Sequence, residues 1–236
     1  MPRYQIVVTD VTCYGSLYCV AGWDLQNGGM IRPEPHTTNA NSEASRFWSG
    51  AQAGPGQFFS VGNVVEFDAN LPPGNFPFPH ATEDRVLTPQ PNAALLGQYT
   101  LGQTAAAAQL GIAANLPAAF GAQLIRANSG KAYVPAGAQV SSLDAINTHP
   151  GNIQLYEDQA DNGKRRLRAI VRHNGIGYDL SVPADAARTR FLTAGLGALQ
   201  ADVQAATQVH LRLGVSRPFA AMPNSCYAQV NGIYLL

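Results

Sequence analysis

KRRLRAIVRHNGIGYDLSV, Lys164 to Val182, decides the fold. Asn174-Gly175 is the strongest short-range hairpin signal, because a two-residue type I′ turn needs positive φ at both central positions, which Asn and Gly reach at least cost. The turn sets a register that the sequence itself can test. His173 then faces Ile176, Val171 faces Tyr178, Ala169 faces Leu180 and Leu167 faces Val182. Core-type residues meet core-type residues, and the other face carries Arg166, Arg168, Ile170 and Arg172 against Asp179 and Ser181. A slip of one residue would scramble both faces, so a single register is expected.

Working outward, NIQLYED before the hairpin reads as a strand and PADAARTRFLTAGLGALQADVQ after it as a helix. TQVHLRLGVSR and CYAQVNGIYLL close the chain as two strands. Strand, strand, strand, helix, strand, strand is the element order of the OB-fold, a small Greek-key barrel that binds oligonucleotides and oligosaccharides on its second and third strands. In that frame Arg166, Arg168 and Arg172, with Lys164 and Arg165 beside them, lie on the second strand, where basic side chains neutralise a single-stranded backbone. The plainer alternative is a solvated β face in which Asp179 pairs with Arg168 or Arg172.

The first 72 residues also read as β with turns. QIVVTDVT alternates, and YCVAGWDL leads through Asn27-Gly28-Gly29 into MIRPEP. Pro33 and Pro35 cannot donate to a ladder, so this strand is expected to stop almost at once. A three-residue loop would place Asp24 opposite Arg32, and a two-residue loop would place Trp23 there. Arg32 is thus either a pin against Asp24 at a barrel rim or a contact presented to a ligand. Residues 36 to 57 read as a long loop with a short helical piece near SRFW, and VVEFDANL as a further strand. PPGNFPFPHATED is a Pro-rich connection that cannot be regular sheet. Residues 91 to 119 are rich in helix formers broken by glycine, and read as one or two short helices at the seam between two halves.

Bulk composition narrows the function. With 15 basic and 15 acidic residues, the chain lacks the overall positive charge of a general nucleic-acid coat, although a local basic groove remains open. All the basic residues except Lys131 and Lys164 are arginine, a bias that genome composition accounts for. Cys13, Cys19 and Cys226 form no C-x-x-C, and His36, His80, His149, His173 and His210 are scattered, so no zinc spacing exists. The three cysteines are expected to be reduced, buried, small hydrophobes. No apolar run reaches transmembrane length, and MPRYQIVVTD reads as a strand, so the expected location is cytoplasmic with no membrane role.

Walker-type loops, dinucleotide fingerprints and nucleophile elbows are absent from the sequence. His80, Glu83 and Asp84 could support acid–base or metal chemistry, or could equally cap a turn and bond backbone. Among Tyr14, Tyr18, Trp23, Phe47 and Trp48 most are expected in the core, with Trp48 the best exposed candidate for stacking a base.

CYGSLYCVAGWDLQNGGMIRPEP, GNVVEF, HATED, RRLRAIVRHNGIGYDLSV and SCYAQVNGIYLL, in that order, resemble the dual OB-fold domain family of bacteria. The resemblance covers both ends and most of the middle. A threonine–aspartate pair tends to follow the hairpin in that family, where this chain has Ser181-Val182-Pro183-Ala184-Asp185. The resemblance implies two OB-like barrels and a nucleic-acid link in phage defence or other genetic conflict, and it implies no particular activity.

The expected fold is therefore mainly β, two OB-like barrels in tandem with a helical connecting segment. Residues 1–120 form the first, with a long loop and helical insert, and residues 121–236 the second. The expected function is a nucleic-acid-binding module for single strands, without catalytic activity, cofactor or metal, in a bacterial anti-phage or genetic-conflict system. Arg32, Trp48, Lys164, Arg166, Arg168 and Arg172 are the expected contacts. The alternatives are a protein-interaction scaffold subunit with a partner in a defence complex, and a small-nucleotide sensor or enzyme built on Arg32 and the His80 region.

Overall fold

In a computed structural model, which describes residues 2–39, 42–72, 78–110, 112–159 and 163–236, the chain is mainly β and divides into two compact units, Met1–Leu110 and Gly111–Leu236.

The first unit is a seven-stranded sheet. β1 (Arg3–Tyr14) and β2 (Leu17–Asp24) form an antiparallel hairpin whose register shifts between Val8 and Asp10. Gly22 sits at that irregularity, where a Cβ would lie 2.4 Å from the Val7 carbonyl oxygen, so the backbones approach closely only because the residue is glycine. β3 (Met30–Glu34) returns with Trp23 opposite Met30. Neither expected loop length holds. Asp24 is consumed by its own turn, its carboxylate accepting from the amides of Gln26 at 2.9 Å and Asn27 at 3.4 Å.

β3 also does not stop at Pro33. It continues parallel to β6 (Asp84–Leu87), with Arg32 opposite Asp84 and Glu34 opposite Val86. In a parallel ladder only alternate residues donate to a given neighbour, so Pro33 falls where its missing N–H costs nothing on the β6 side. Two-residue β4 (Trp48–Ser49) pairs with β2, and β5 (Asn63–Asn70) pairs antiparallel with both β6 and β1. β7 (Ala94–Gln98), which the composition of residues 91 to 119 did not suggest, pairs with β5. Helix α1 (Leu101–Ala108) follows, started by a capping box between Thr100 and Gln103. Ile6, Val8, Val20, Trp48, Phe59, Val65 and Phe67 fill the core. Of the Pro-rich connection, residues 73–77 lie outside the described residues, and its end forms a short turn, His80–Thr82, before β6.

The second unit is an eight-stranded sheet around a separate core. A four-residue helical turn, α2 (Ala119–Ala122), leads to β8 (Ile125–Arg126) and β9 (Ala132–Pro135), then β10 (Leu143–Thr148). β11 (Ile153–Gln159), β12 (Arg165–His173) and β13 (Ile176–Ser181) form an antiparallel meander. Helix α3 (Asp185–Ala205) buries Phe191, Leu199 and Val203, and β14 (Val209–Val215) and β15 (Ser225–Leu235) complete the unit. The decisive hairpin has the register dictated by its turn. His173 pairs with Ile176, Val171 with Tyr178 and Ala169 with Leu180, and Asn174 and Gly175 adopt φ of 49° and 78°.

The pairing order is β10-β14-β15-β13-β12-β11, with β13 and β15 parallel at Ser181 and Gln229. Its two end strands are consecutive in sequence and are joined only through the short turn Pro150–Asn152 after His149. The β8–β9 hairpin extends the sheet between β13 and the start of β15. Tyr133 pairs with Tyr227, and the Gly130 carbonyl accepts the Asp179 N–H at 2.9 Å.

Candidate nucleic-acid interface

Alternation along β12 sends Leu167, Ala169 and Val171 into the core and places Arg166, Arg168, Ile170 and Arg172 on the outward face. The neighbouring strand β11 brings an acidic or polar partner to each arginine. Arg166 pairs with Asp158, its register partner, at 2.5 Å, and Arg165 with Glu157 at 2.5 Å. The Arg165 hydrogen bond holds Glu157 below the usual carboxylate range. Burial acts to raise Asp158, but its hydrogen bond and charge contact with Arg166 carry it below that range. Both pairs are open to water, so a competing phosphate can exchange with either carboxylate at little cost.

Arg168 differs from the expected solvent-facing arginine. It is only 9% exposed, because the β8–β9 hairpin docks on β13 beside it. Its guanidinium pairs with Asp179 at 2.8 Å and its Nε donates to the Tyr156 hydroxyl at 2.9 Å, while that hydroxyl donates to Asp179 at 2.8 Å. Burial opposes the Arg168 charge, yet the hydrogen bond and charge of Asp179 hold its pKa above the ordinary value. Burial, and then the bond to Asp179, raise the Tyr156 phenol. This triad fixes the face and leaves Arg168 little surface to offer. Arg172, farther along, donates to the neutral amide of Gln154 at 2.7 Å. Lys164 is exposed at the entry to the strand.

Beyond the triad the outward surface becomes aromatic. Ala132, Val134 and Cys226 face inward, so Tyr133 and Tyr227 lie on the other side of β9 and β15. Their ring centroids are 6.0 Å apart, and Phe219, half exposed in the β14–β15 loop, continues the row 6.1 Å from Tyr227. The alternation in KAYVP and SCYAQV carries the signal for these rings, which lie in the second half, unlike the expected candidates Tyr14, Tyr18, Trp23, Phe47 and Trp48.

Arg32 and Trp48 lie elsewhere, inside the first unit. Trp48 is not exposed. It packs on Phe59 at 4.6 Å and donates its indole N–H to the Pro33 carbonyl at 2.9 Å, so no base can stack on it. Arg32 is 6% exposed and pairs with Asp84 at 2.7 Å, not with Asp24. Arg46 joins them, 3.1 Å from Glu34 and 4.0 Å from Asp84. Burial opposes the charge on Arg32, but Asp84, Cys19 and Glu83 together keep its pKa above the ordinary value. His80 and Glu83 are buried beside this network. The cluster is a sealed ionic core, with Thr82 bonding back to the Pro79 carbonyl as a turn cap. Among the described residues no group of three or more His, Cys, Asp or Glu side chains is placed to hold a metal ion, and no helix is long and apolar enough to cross a membrane.

Of the six expected contacts, Arg166, Arg168 and Arg172 lie on β12 with Arg168 buried, Lys164 is exposed just before it, and Arg32 and Trp48 are buried in another core. Compared with known families, the chain matches the dual OB-containing domain over residues 4–233. Comparison with curated proteins and comparison with solved structures each gave no match.

Proposed function

The chain belongs to the dual OB-containing domain family, and from that premise we propose that each unit is an OB-like barrel and that the second binds single-stranded nucleic acid on its outward face. The barrel reading is supported by the pairings. In both units a three-stranded meander meets a later strand in parallel, β3 with β6 and β13 with β15. In both, that later strand pairs antiparallel with a further strand, β6 with β5 and β15 with β14.

The observation that carries the binding reading is the composition of the second unit's outward face, on which a basic strand and a row of aromatic rings lie with β13 between them. At about 3.3 Å per residue, Arg166 to Arg172 covers roughly 20 Å, enough for several nucleotides of an extended strand. Arg166, Arg172 and Lys164 would hold phosphates, and Tyr133, Tyr227 and Phe219 would stack bases, a contribution of about 1–3 kcal/mol per base that tolerates any sequence. Arg168 acts as a positioning residue through Tyr156 and Asp179. On this reading the protein is a binding module. Its place in a bacterial anti-phage complex with a protein partner rests on the family resemblance alone.

Photocrosslinking a bromouracil-substituted single strand to the full chain, with mass spectrometry of the joined peptides, tests the placement. Crosslinks at Tyr133, Phe219 or Tyr227 are expected. Crosslinks confined to the first unit would overturn it.

A further inference from the structure

The second unit holds an open pocket of about 270 Å³ where the β10–β11 turn meets the tip of the β12–β13 hairpin, and its lining includes Asn115, Asn147, His149, Asn152, Arg172 and His173. Four of its side chains, Asn115, Asn147, His149 and Arg172, keep donors after their hydrogen bonds to Ala118, His210, Gly151 and Gln154 are made. The Asn115 Oδ1 accepts the Ala118 N–H at 3.0 Å, leaving the side-chain NH₂. The Asn147 Oδ1 lies 2.8 Å from Nδ1 of buried His210, so the oxygen takes that proton and again the NH₂ is left. His149 Nδ1 accepts the Gly151 N–H at 3.0 Å, which places the His149 ring proton on Nε2. Asn152 donates to the Thr148 hydroxyl at 3.3 Å. Arg172 spends one N–H on Gln154, and a guanidinium has five.

Among the described residues no carboxylate lines this pocket, whereas Arg165, Arg166 and Arg168 on the same strand each face one. We propose that the pocket is a phosphate-monoester site. Four donor groups, one of them a guanidinium, call for an anion with three acceptor oxygens. A monoester offers three, and an internal diester only two non-bridging ones. The volume is just below the roughly 300–1,000 Å³ of ordinary ligand pockets, which suits a phosphorylated sugar. The monoester can come from the end of a nucleic-acid strand or from a free nucleotide. In the first case the site deepens the single-strand reading and would set the polarity with which a strand lies on β12.

Asn115→Asp is the informative variant. It keeps the oxygen that caps Ala118 and replaces the remaining NH₂ by an acceptor bearing negative charge. Fluorescence anisotropy would compare a ten-nucleotide DNA carrying a 5′-phosphate, a 3′-phosphate or neither. Calorimetry would compare a nucleoside 5′-monophosphate with the nucleoside. One phosphorylated end is expected to bind about tenfold more tightly than the hydroxyl end, and Asn115→Asp should abolish the difference while the unphosphorylated strand binds within about threefold of wild type. Equal affinity for all three strands, with no nucleotide binding, overturns the pocket and leaves the single-strand reading standing. Nucleotide binding lost on Asn115→Asp, with no strand bound, keeps the pocket with a free nucleotide as its ligand and removes the single-strand reading. No binding by any of these probes removes both.

Discussion

Removing the Asp84 carboxylate should unfold the first unit's charged core without touching the proposed interface. Asp84 is fully buried and Arg32 nearly so, 2.7 Å apart, and Arg46 also leans on Asp84 at 4.0 Å. In Asp84→Asn two buried guanidinium groups remain after the carboxylate 2.7 Å from Arg32 is neutralised. Breaking a buried pair by deleting one partner costs about 3–5 kcal/mol, since the buried charge left behind is undercompensated. At about 4–8 °C per kcal/mol for a small domain, the melting temperature should fall by at least about 12 °C. The double variant Arg32→Met, Asp84→Leu removes both charges and should recover most of that loss. The assay is a thermal melt followed by circular dichroism, beside anisotropy on a short single strand at a temperature where each variant is folded. A melt of Asp84→Asn within about 2 °C of wild type would refute the sealed-pair account, because only solvated charges can lose a partner so cheaply. Loss of strand binding by folded Arg32→Met would return Arg32 to the interface.

Asp179→Asn should cost about 2 kcal/mol, as expected for a poorly exposed hydrogen bond to a charged group, read as a lower urea midpoint, and Tyr156→Phe should cost less; an unchanged midpoint for both would mean the triad is solvated. Asp158→Asn frees Arg166 from its carboxylate and should tighten single-strand binding roughly fivefold at low salt, the effect of one unit charge at about 4 Å in water-like surroundings; weaker binding would place the strand elsewhere. Burial pushes the Cys226 thiol up to about 11, so native protein should show Cys226 inert to a thiol reagent at pH 8 until denaturant is added, with the half-buried Cys13 and Cys19 reacting first. Prompt labelling of Cys226 would contradict the packing of β15.

The second unit's hairpin was legible because Asn174-Gly175 names its turn and every second residue of β12 and β13 names a face. The resulting register holds across both strands. What single-strand reasoning could not supply was the partner strand. Arg166 was visible as an outward cation, but the acid that answers it, Asp158, sits on β11 eight residues earlier and meets it only through the hairpin register. Arg32 shows the same limit over a longer range. Its partner Asp84 arrives through a parallel pairing 52 residues away, which no local turn encodes. Pro33 signals a stop because a proline lacks a donor, yet at this position the strand has passed the β2 pairing and meets only β6, where alternate residues need no donor. Trp48 lies in a loop rich in polar residues, and the sequence there gave no sign that its N–H would cap the Pro33 carbonyl.

The most direct test of the account is a salt titration of full-length protein with a labelled single-stranded oligonucleotide. If Lys164, Arg166 and Arg172 each neutralise one phosphate, the log–log slope of affinity against salt should be about −2, roughly −0.7 per contact on a single strand. Arg166→Gln should flatten it by about 0.7, and Tyr227→Ala should weaken binding with the slope unchanged. Absence of binding to any single strand at low ionic strength, or binding whose slope ignores Arg166→Gln, would contradict the assignment of this face.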